Sequence, residues 1–132
     1  MEKFRNFATA LLAILSAVPA AHAHWAYPNA LTKMDIEAKI IGSTLSGVIG
    51  DVSFAEYYLP DGTLRGVDAE KGPYTGRWSI RGDDAMCWAY APSYEIAGCV
   101  LLVLDGDQVT LQQISGDIEG VVTLSPGNAQ NL

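Results

Sequence analysis

Short apolar stretches, separated at close intervals by glycine and aspartate, run through the chain from residue 43 onward. In 75–81 polar and apolar side chains alternate, as expected of a strand that buries one face. The stretch 98–104 is apolar throughout, which is typical of a strand covered on both faces. Comparable patterns recur as far as residue 124, and 125–132 is predicted to be a loose end. The pattern therefore predicts a mainly β protein of about seven strands.

The predicted turns indicate how these strands pair. Pro60-Asp61-Gly62 fits a type I turn closed by a glycine in the left-handed conformation, and further turn sequences occupy 82–84, 105–107 and 115–117. Because tight turns join antiparallel neighbours, the strands should form a meander. A meander of this length usually curls to protect its edges. The sequence predicts a curled sheet or a small barrel, and leaves the closure of the barrel open.

One short helix is predicted at 33–41, ahead of the strands, where it could cover an open end of the sheet. Thr32 is in position to cap it, with Asp35 at the place of the acidic residue in a capping box. Its buried stripe is predicted to consist of three apolar side chains at helical spacing, Met34, Ala38 and Ile41.

The first 23 residues have the pattern of a secretory signal peptide. Lys3 and Arg5 precede an apolar run at 8–18, and Ala21-His22-Ala23 places small residues where a signal peptidase reads them. The run is shorter than the roughly 20 residues that span a bilayer. We therefore predict that 1–23 is cleaved, that 24–132 folds as a single domain in the periplasm or outside the cell, and that the mature protein inserts in no membrane.

Acidic residues outnumber basic ones by fifteen to eight, and the formal net charge is −7. Cleavage would remove Glu2, Lys3 and Arg5, which changes that charge to −8. This balance excludes nucleic acid as a partner, because binding it requires clustered Lys and Arg. It is compatible with a basic protein partner, for example a basic hydrolase that this protein inhibits, although acidity more commonly serves solubility.

Cys87 and Cys99 are the only cysteines. In an oxidising compartment such a pair is expected to form a disulfide, which would stabilise a domain of this size by about 3 kcal/mol. The alternatives are two free thiols or a soft-metal site. The spacing is not C-x-x-C, and two thiolates without histidine do not complete a tetrahedral zinc site.

Few residues of the predicted domain offer catalytic chemistry. His24 would be its only histidine, at the new N-terminus, which disfavours Ser-His-Asp and Cys-His sites and leaves a copper site without a second imidazole. No metal or cofactor is predicted. Glu56 is the one carboxylate within an aromatic strand, between Phe54 and Tyr58, and we expect it to face solvent. The alternative is a small carboxylate-dependent hydrolase with Glu56 as the acid or base.

Aromatic side chains on predicted strands are the candidate contacts for a ligand or partner. They are Tyr57, Tyr58, Trp78, Trp88 and Tyr90. The strand 85–91 has a bulky face with Trp88 and Tyr90, and a lean face with Cys87. If the bulky face is inside, these rings are core; if the lean face is inside, they form an exposed adhesive patch. The sequence alone does not decide between these two orientations.

Several short motifs follow one another in a distinctive order along nearly all of the predicted domain. They are Leu31-Thr32, Gly42-x-Thr44-x-x-Gly47, Tyr58-x-Pro60-Asp61-Gly62-Thr63, Gly76-Arg77-Trp78, Cys87-Trp88, Cys99, Asp105-Gly106-Asp107 and Gly127-Asn128. This order resembles a group of small exported proteobacterial proteins that carry only an uncharacterised-domain label. The resemblance implies a periplasmic location and one disulfide, and it implies no activity. The Gly-x-Trp element is also similar to that of lipocalin-like barrels, where it lies on the first strand.

The sequence thus favours a non-enzymatic binding or accessory module for a small apolar ligand or a protein partner. A small hydrolase is one alternative, and a purely structural envelope component is another. An open cup lined by the aromatic side chains would favour small ligands, whereas a filled core would favour a protein partner.

Overall fold

Eight antiparallel strands follow a single helix in the computed structural model, which describes residues 27–132. The elements are α1 (Lys33–Lys39), β1 (Ser43–Ile49), β2 (Val52–Tyr58), β3 (Thr63–Asp68), β4 (Gly72–Arg81), β5 (Ala85–Tyr90), β6 (Ile96–Asp105), β7 (Gln108–Gln112) and β8 (Ile118–Pro126). Each strand pairs with the next, and β8 pairs with β1, which closes a barrel. The mainly β meander is confirmed, with eight strands and a closed barrel. The predicted signal peptide and His24 lie outside the described residues.

The turn between β2 and β3 has the predicted form. The Gly62 N–H donates to the Leu59 carbonyl at 3.2 Å, and Gly62 has a φ of 92°, the left-handed region that favours glycine. The Asp61 carboxylate accepts hydrogen bonds from the backbone N–H and the hydroxyl of Thr63, at 2.9 and 2.6 Å. These bonds from Thr63 lower the pKa of the Asp61 carboxyl.

The capping box of α1 is confirmed, and the predicted buried stripe is wrong for Met34 and Ala38, whereas Ile41 is partly buried and packs against the core. The Asp35 N–H donates to Thr32 Oγ1, and the Thr32 N–H donates to Asp35 Oδ2. Ile36 and Ile40 are fully buried, whereas Met34 is 79 % exposed. Both sets have helical spacing, so spacing alone does not decide between them. Just ahead of the helix, the Leu31 N–H donates to the Leu102 carbonyl of β6 at 2.8 Å, which ties the start of α1 to the barrel.

The helix covers one end of the barrel. Ile36 and Ile40 belong to the same hydrophobic cluster as the inward-facing Leu45, Met86 and Leu102. This end also contains the β2–β3, β4–β5 and β6–β7 turns, since α1 leads directly into the start of β1. The packed core therefore lies towards α1, and the barrel's other end is bounded by the β1–β2, β3–β4, β5–β6 and β7–β8 connections.

Two further expectations require correction. Continuous burial in 98–104 holds only for Val100–Leu102, since Gly98 lies exposed near the start of β6, beyond the packed part of the barrel. The segment 125–132 is not a loose end. The Thr44 hydroxyl is fully buried, donates to the Gly127 carbonyl at 2.7 Å and accepts from the Ala129 N–H at 3.2 Å. One hydroxyl on β1 thus fastens the chain after β8.

The predicted disulfide between Cys87 and Cys99 is confirmed. The two residues are directly opposite each other on β5 and β6. Because side chains alternate across a strand, the bulky face of β5, with Met86, Trp88 and Tyr90, points into the barrel while the disulfide lies on the other face. No helix within residues 27–132 is long and apolar enough to cross a membrane.

Candidate functional site

A cavity of about 410 Å³ lies inside the barrel, at the end opposite α1. Its lining includes residues near the ends of β1, β3 and β5, such as Ile49, Asp68 and Ala91. Apolar side chains form much of its wall, and these are Leu45, Ile49, Val52, Phe54 and Leu111. The volume is within the range of roughly 300–1,000 Å³ typical of small-molecule sites.

Glu56 lies on the wall of this cavity and is only 4 % exposed. The expectation that it faces solvent is wrong. Phe54, Glu56 and Tyr58 all occupy the inward face of β2, and all three line the cavity. A buried carboxylate is costly unless its charge is compensated by hydrogen bonds, so its partners determine what the site can do.

Three tyrosine hydroxyls donate to the Glu56 carboxylate. Tyr58 donates to Oε2 at 2.5 Å. Tyr74 and Tyr90 both donate to Oε1, at 2.7 and 2.8 Å. We call these residues, together with Trp88, the Glu56 cluster. Its members come from β2, β4 and β5, which form one side of the barrel.

The direction of these hydrogen bonds is fixed by chemistry. A carboxylate only accepts hydrogen bonds, so each of the three phenols directs its proton to Glu56. The Trp88 indole N–H can only donate, and it donates to the Tyr58 hydroxyl oxygen at 3.2 Å. Burial, reinforced by the negative charge of Glu56, raises the pKa of the Tyr58, Tyr74 and Tyr90 hydroxyls well above the ordinary value. All three phenols therefore remain protonated donors at neutral pH.

Two glycines provide the space for the tyrosine rings. Glu56, Gly66 and Tyr74 are in register across β2, β3 and β4. A Cβ atom on Gly66 would lie 2.3 Å from the Tyr74 ring, so the ring crosses the strand only because that position has no side chain. At Gly76, a Cβ atom would lie 2.6 Å from the Ala89 carbonyl oxygen and 3.1 Å from the Tyr90 ring, so this position too has no room for a side chain. The two rings meet edge to face at 5.5 Å.

Charged side chains that do not belong to the Glu56 cluster also line the cavity. Asp68 accepts backbone hydrogen bonds from Glu70 and Lys71, both in the β3–β4 turn. Glu119 accepts a hydrogen bond from the Gln113 side chain at 3.1 Å. Three carboxylates and one ammonium, that of Lys71, therefore line the cavity. Within residues 27–132, no lysine or arginine forms an ion pair with Glu56.

The structure brings together three of the five candidate aromatic residues, Tyr58, Trp88 and Tyr90. Tyr57 is paired with Thr44 and Arg65 and points to the outside of the barrel. Trp78 packs against the core and donates its N–H to the Leu59 carbonyl at 2.8 Å, outside the cavity lining.

The sequence pattern predicts no role for Tyr74, and it predicts a role for Glu56 only in the alternative hydrolase. A signal for Glu56 was present, because a carboxylate at i±2 from Phe54 and Tyr58 shares their face of the strand. For Tyr74 the signal was weaker: it was Gly66 on the neighbouring strand β3, and the register is needed to show that Gly66 lies beside Tyr74.

The site is an apolar cavity with one polar wall, and that wall offers hydrogen-bond acceptors to a ligand. Among residues 27–132, no group of three or more His, Cys, Asp or Glu side chains is placed to hold a metal ion. The donors of the Glu56 cluster are used within the cluster, and acceptor capacity remains on its oxygens. Comparison of the chain with protein-family models, curated proteins and solved structures gave no match.

Proposed function

We propose that this protein is a non-enzymatic binding protein that carries a small, mainly apolar molecule inside its barrel. The observation that supports this most is the cavity of about 410 Å³, with apolar walls and a single cluster of buried polar groups. Binding sites for small molecules commonly combine these two features, because apolar walls supply affinity and a few polar groups fix orientation.

The cavity favours a small ligand over a protein partner. Trp88 and Tyr90, which would be the natural anchors of a protein interface, are directed inward and line the cavity. A protein partner could reach them only by inserting a side chain into the barrel.

The proposed place of action is the periplasm or the exterior of the cell. The signal-peptide pattern of residues 1–23 supports export, and the Cys87–Cys99 disulfide is compatible with an oxidising compartment. Intact-mass measurement of the protein from a secreting host tests this. We expect a chain that begins at His24 and contains one disulfide; a cytoplasmic chain that retains Met1 would contradict export.

A hydrolase that uses Glu56 is the competing function, since this carboxylate lines the cavity. The three phenols that donate to Glu56 already occupy most of its acceptor sites, whereas a general base must accept a proton from its substrate. Turnover that Glu56→Gln abolishes would establish the hydrolase; turnover unaffected by the substitution would exclude Glu56 as its acid or base.

Binding of the neutral apolar fluorophore N-phenyl-1-naphthylamine tests the proposed function. We expect one molecule to bind per barrel, with strong fluorescence enhancement. Ile49→Trp, which places a large ring in the cavity, should abolish the enhancement. Val48→Trp is the matched control, because Val48 is the adjacent residue of β1, 53 % exposed on the outer face. Equal binding to both variants, or no binding to the unaltered protein, would contradict an internal ligand site.

A further inference from the structure

The hydrogen-bond balance of the Glu56 cluster indicates which kind of ligand the cavity would accept. A carboxylate offers about four acceptor positions. Tyr74 and Tyr90 use two on Oε1, and Tyr58 uses one on Oε2. One acceptor position remains on the carboxylate, and the oxygens of Tyr74 and Tyr90 retain lone pairs.

The same cluster has no donor to spare. The protons of all three phenols point to Glu56, and the Trp88 N–H points to Tyr58. An acceptor such as a ligand carboxylate or carbonyl would meet only oxygen lone pairs on this wall. A ligand that is to hydrogen-bond here must therefore bring the protons itself.

The charges around the cavity also favour a ligand that brings its own protons, in this case a cation. Glu56 is buried, and within the described part of the chain it is paired with no cationic side chain. Its hydrogen bonds from neutral phenols spread the negative charge but do not cancel it. Asp68 and Glu119 add two further negative charges along the lining, against the single ammonium of Lys71. Because Glu56 is buried, its charge attracts a cation more strongly than an exposed carboxylate would in bulk solvent.

The walls suit a cation that carries an apolar body. Phe54, Tyr58 and Trp88 line the cavity together with the other rings of the cluster, and aromatic rings attract ammonium groups through their negative faces. Leu45 and Leu111, on β1 and β7, line it as well and can cover an alkyl or aryl tail. A bare metal ion would leave this apolar surface unused.

We propose that the ligand is an organic ammonium ion, a protonated amine on an apolar tail, with its nitrogen against the Glu56 carboxylate and its tail against the β1 and β7 wall. This inference rests on the proposed function, since it assigns a ligand class to the same cavity. It excludes the fatty-acid-like anions that an apolar barrel would otherwise suit.

Three probes with the same tail test the inference: n-octylammonium, octan-1-ol and octanoate. Isothermal titration calorimetry at about pH 7 and about 0.15 M salt limits attraction from distant surface charges. We expect octylammonium to bind at least about tenfold more tightly than octanol, and octanoate to bind more weakly than octanol. If octanol or octanoate binds as tightly as octylammonium, the inference is overturned while the cavity remains a binding site. If none of the three binds, both proposals fail.

Two variants, each of which lacks one carboxylate charge, test whether Glu56 causes the preference for octylammonium over octanol. In Glu56→Gln, the ratio of octylammonium to octanol affinity should fall to within about threefold. Glu37→Gln removes an exposed carboxylate on α1, at the other end of the barrel, and should keep the full ratio. An unchanged ratio in Glu56→Gln would contradict the proposal. The affinities of the three probes are ranked on the unaltered protein. The test therefore remains decisive even if Glu56→Gln does not fold.

Discussion

At the scale of single residues, the site depends on a side chain that is missing. Gly66 lies between Glu56 and Tyr74 in the register of β2, β3 and β4, and the Tyr74 ring occupies the space above it. The Tyr74 ring must cross this space for its hydroxyl to reach Glu56 Oε1, two strands away, at 2.7 Å. The composition of one strand therefore controls a hydrogen bond between its two neighbours.

Gly66→Ala should displace the Tyr74 ring and destabilise the protein by about 1–3 kcal/mol, as overpacking of a filled site does. The reason is the 2.3 Å approach of the new Cβ to the ring. Gly98→Ala is the matched control, because a Cβ at this strand glycine meets no atom within 4 Å. Urea unfolding measures both free energies. Equal values for the two variants would show that the Tyr74 ring does not occupy the space above Gly66.

The buried tyrosines make the stability of the fold depend on alkaline pH. The pKa values of Tyr58, Tyr74 and Tyr90 are raised in the folded protein, so the unfolded chain loses these protons first. Stability from this source is complete below about pH 10, the ordinary tyrosine value, and falls as the pH rises further. The fully buried Tyr58 contributes one of the protons whose loss from the unfolded chain causes this fall.

Urea unfolding between about pH 8 and about pH 12 measures this dependence. Tyr58→Phe removes one of the three protons, so its free energy of unfolding should fall less steeply above about pH 10 than that of the unaltered protein. Identical slopes would indicate that Tyr58 is not a buried donor to Glu56.

The burial and the partners of a single side chain are harder to predict from the sequence than the strand on which it lies. The strand 52–59 is evident, yet the pattern assigns Glu56 to solvent because carboxylates are rarely buried without a partner. The partners, Tyr74 and Tyr90, come from β4 and β5, at separations of 18 and 34 residues. Only strand register brings them together, and a single sequence does not contain it.

At the scale of elements, the β5–β6 hairpin is the one that is covalently reinforced. Cys87 and Cys99 lie opposite each other and are separated by 12 residues. The inward face of β5 supplies Trp88 and Tyr90 to the cavity. The disulfide therefore fastens the strand that provides one wall of the site to its neighbour.

Replacing both cysteines by alanine should lower the free energy of unfolding by about 3 kcal/mol, because the unfolded chain regains the freedom of an open loop. Thermal and urea unfolding measure the loss. The unaltered protein in a reducing agent should show a comparable loss, while the double variant should be indifferent to the reductant. A double variant as stable as the parent would show that the hairpin does not need its crosslink.

Elements bounded by local chemistry are predictable, and those bounded by distant contacts are not. The Thr32 capping box and the Gly62 turn are formed by residues close in sequence, and both have the expected form. The face that α1 buries is set by packing against the barrel, where Ile36 and Ile40 join the core, so helical spacing alone places Met34 on the wrong face. The tail after β8 depends on Thr44, more than 80 residues earlier, and its attachment has no local signal.

At the scale of the whole molecule, the protein is a barrel packed at one end and hollow at the other. The side chains of α1 complete the core at the first end. At the second end the strands enclose the cavity and the Glu56 cluster. This division lets the stabilising core and the proposed binding site share one barrel, since the inward residues of strands such as β1, β2 and β5 contribute to both.

A crystal structure of the protein with n-octylammonium tests the central claim most directly, namely that the cavity binds an apolar cation at Glu56. We expect the ligand nitrogen within hydrogen-bond distance of a Glu56 carboxylate oxygen, about 3 Å, and the alkyl chain between Leu45 and Leu111. An alkyl chain bound only on the outer surface of the barrel, or a nitrogen directed away from Glu56 towards solvent, would contradict the account.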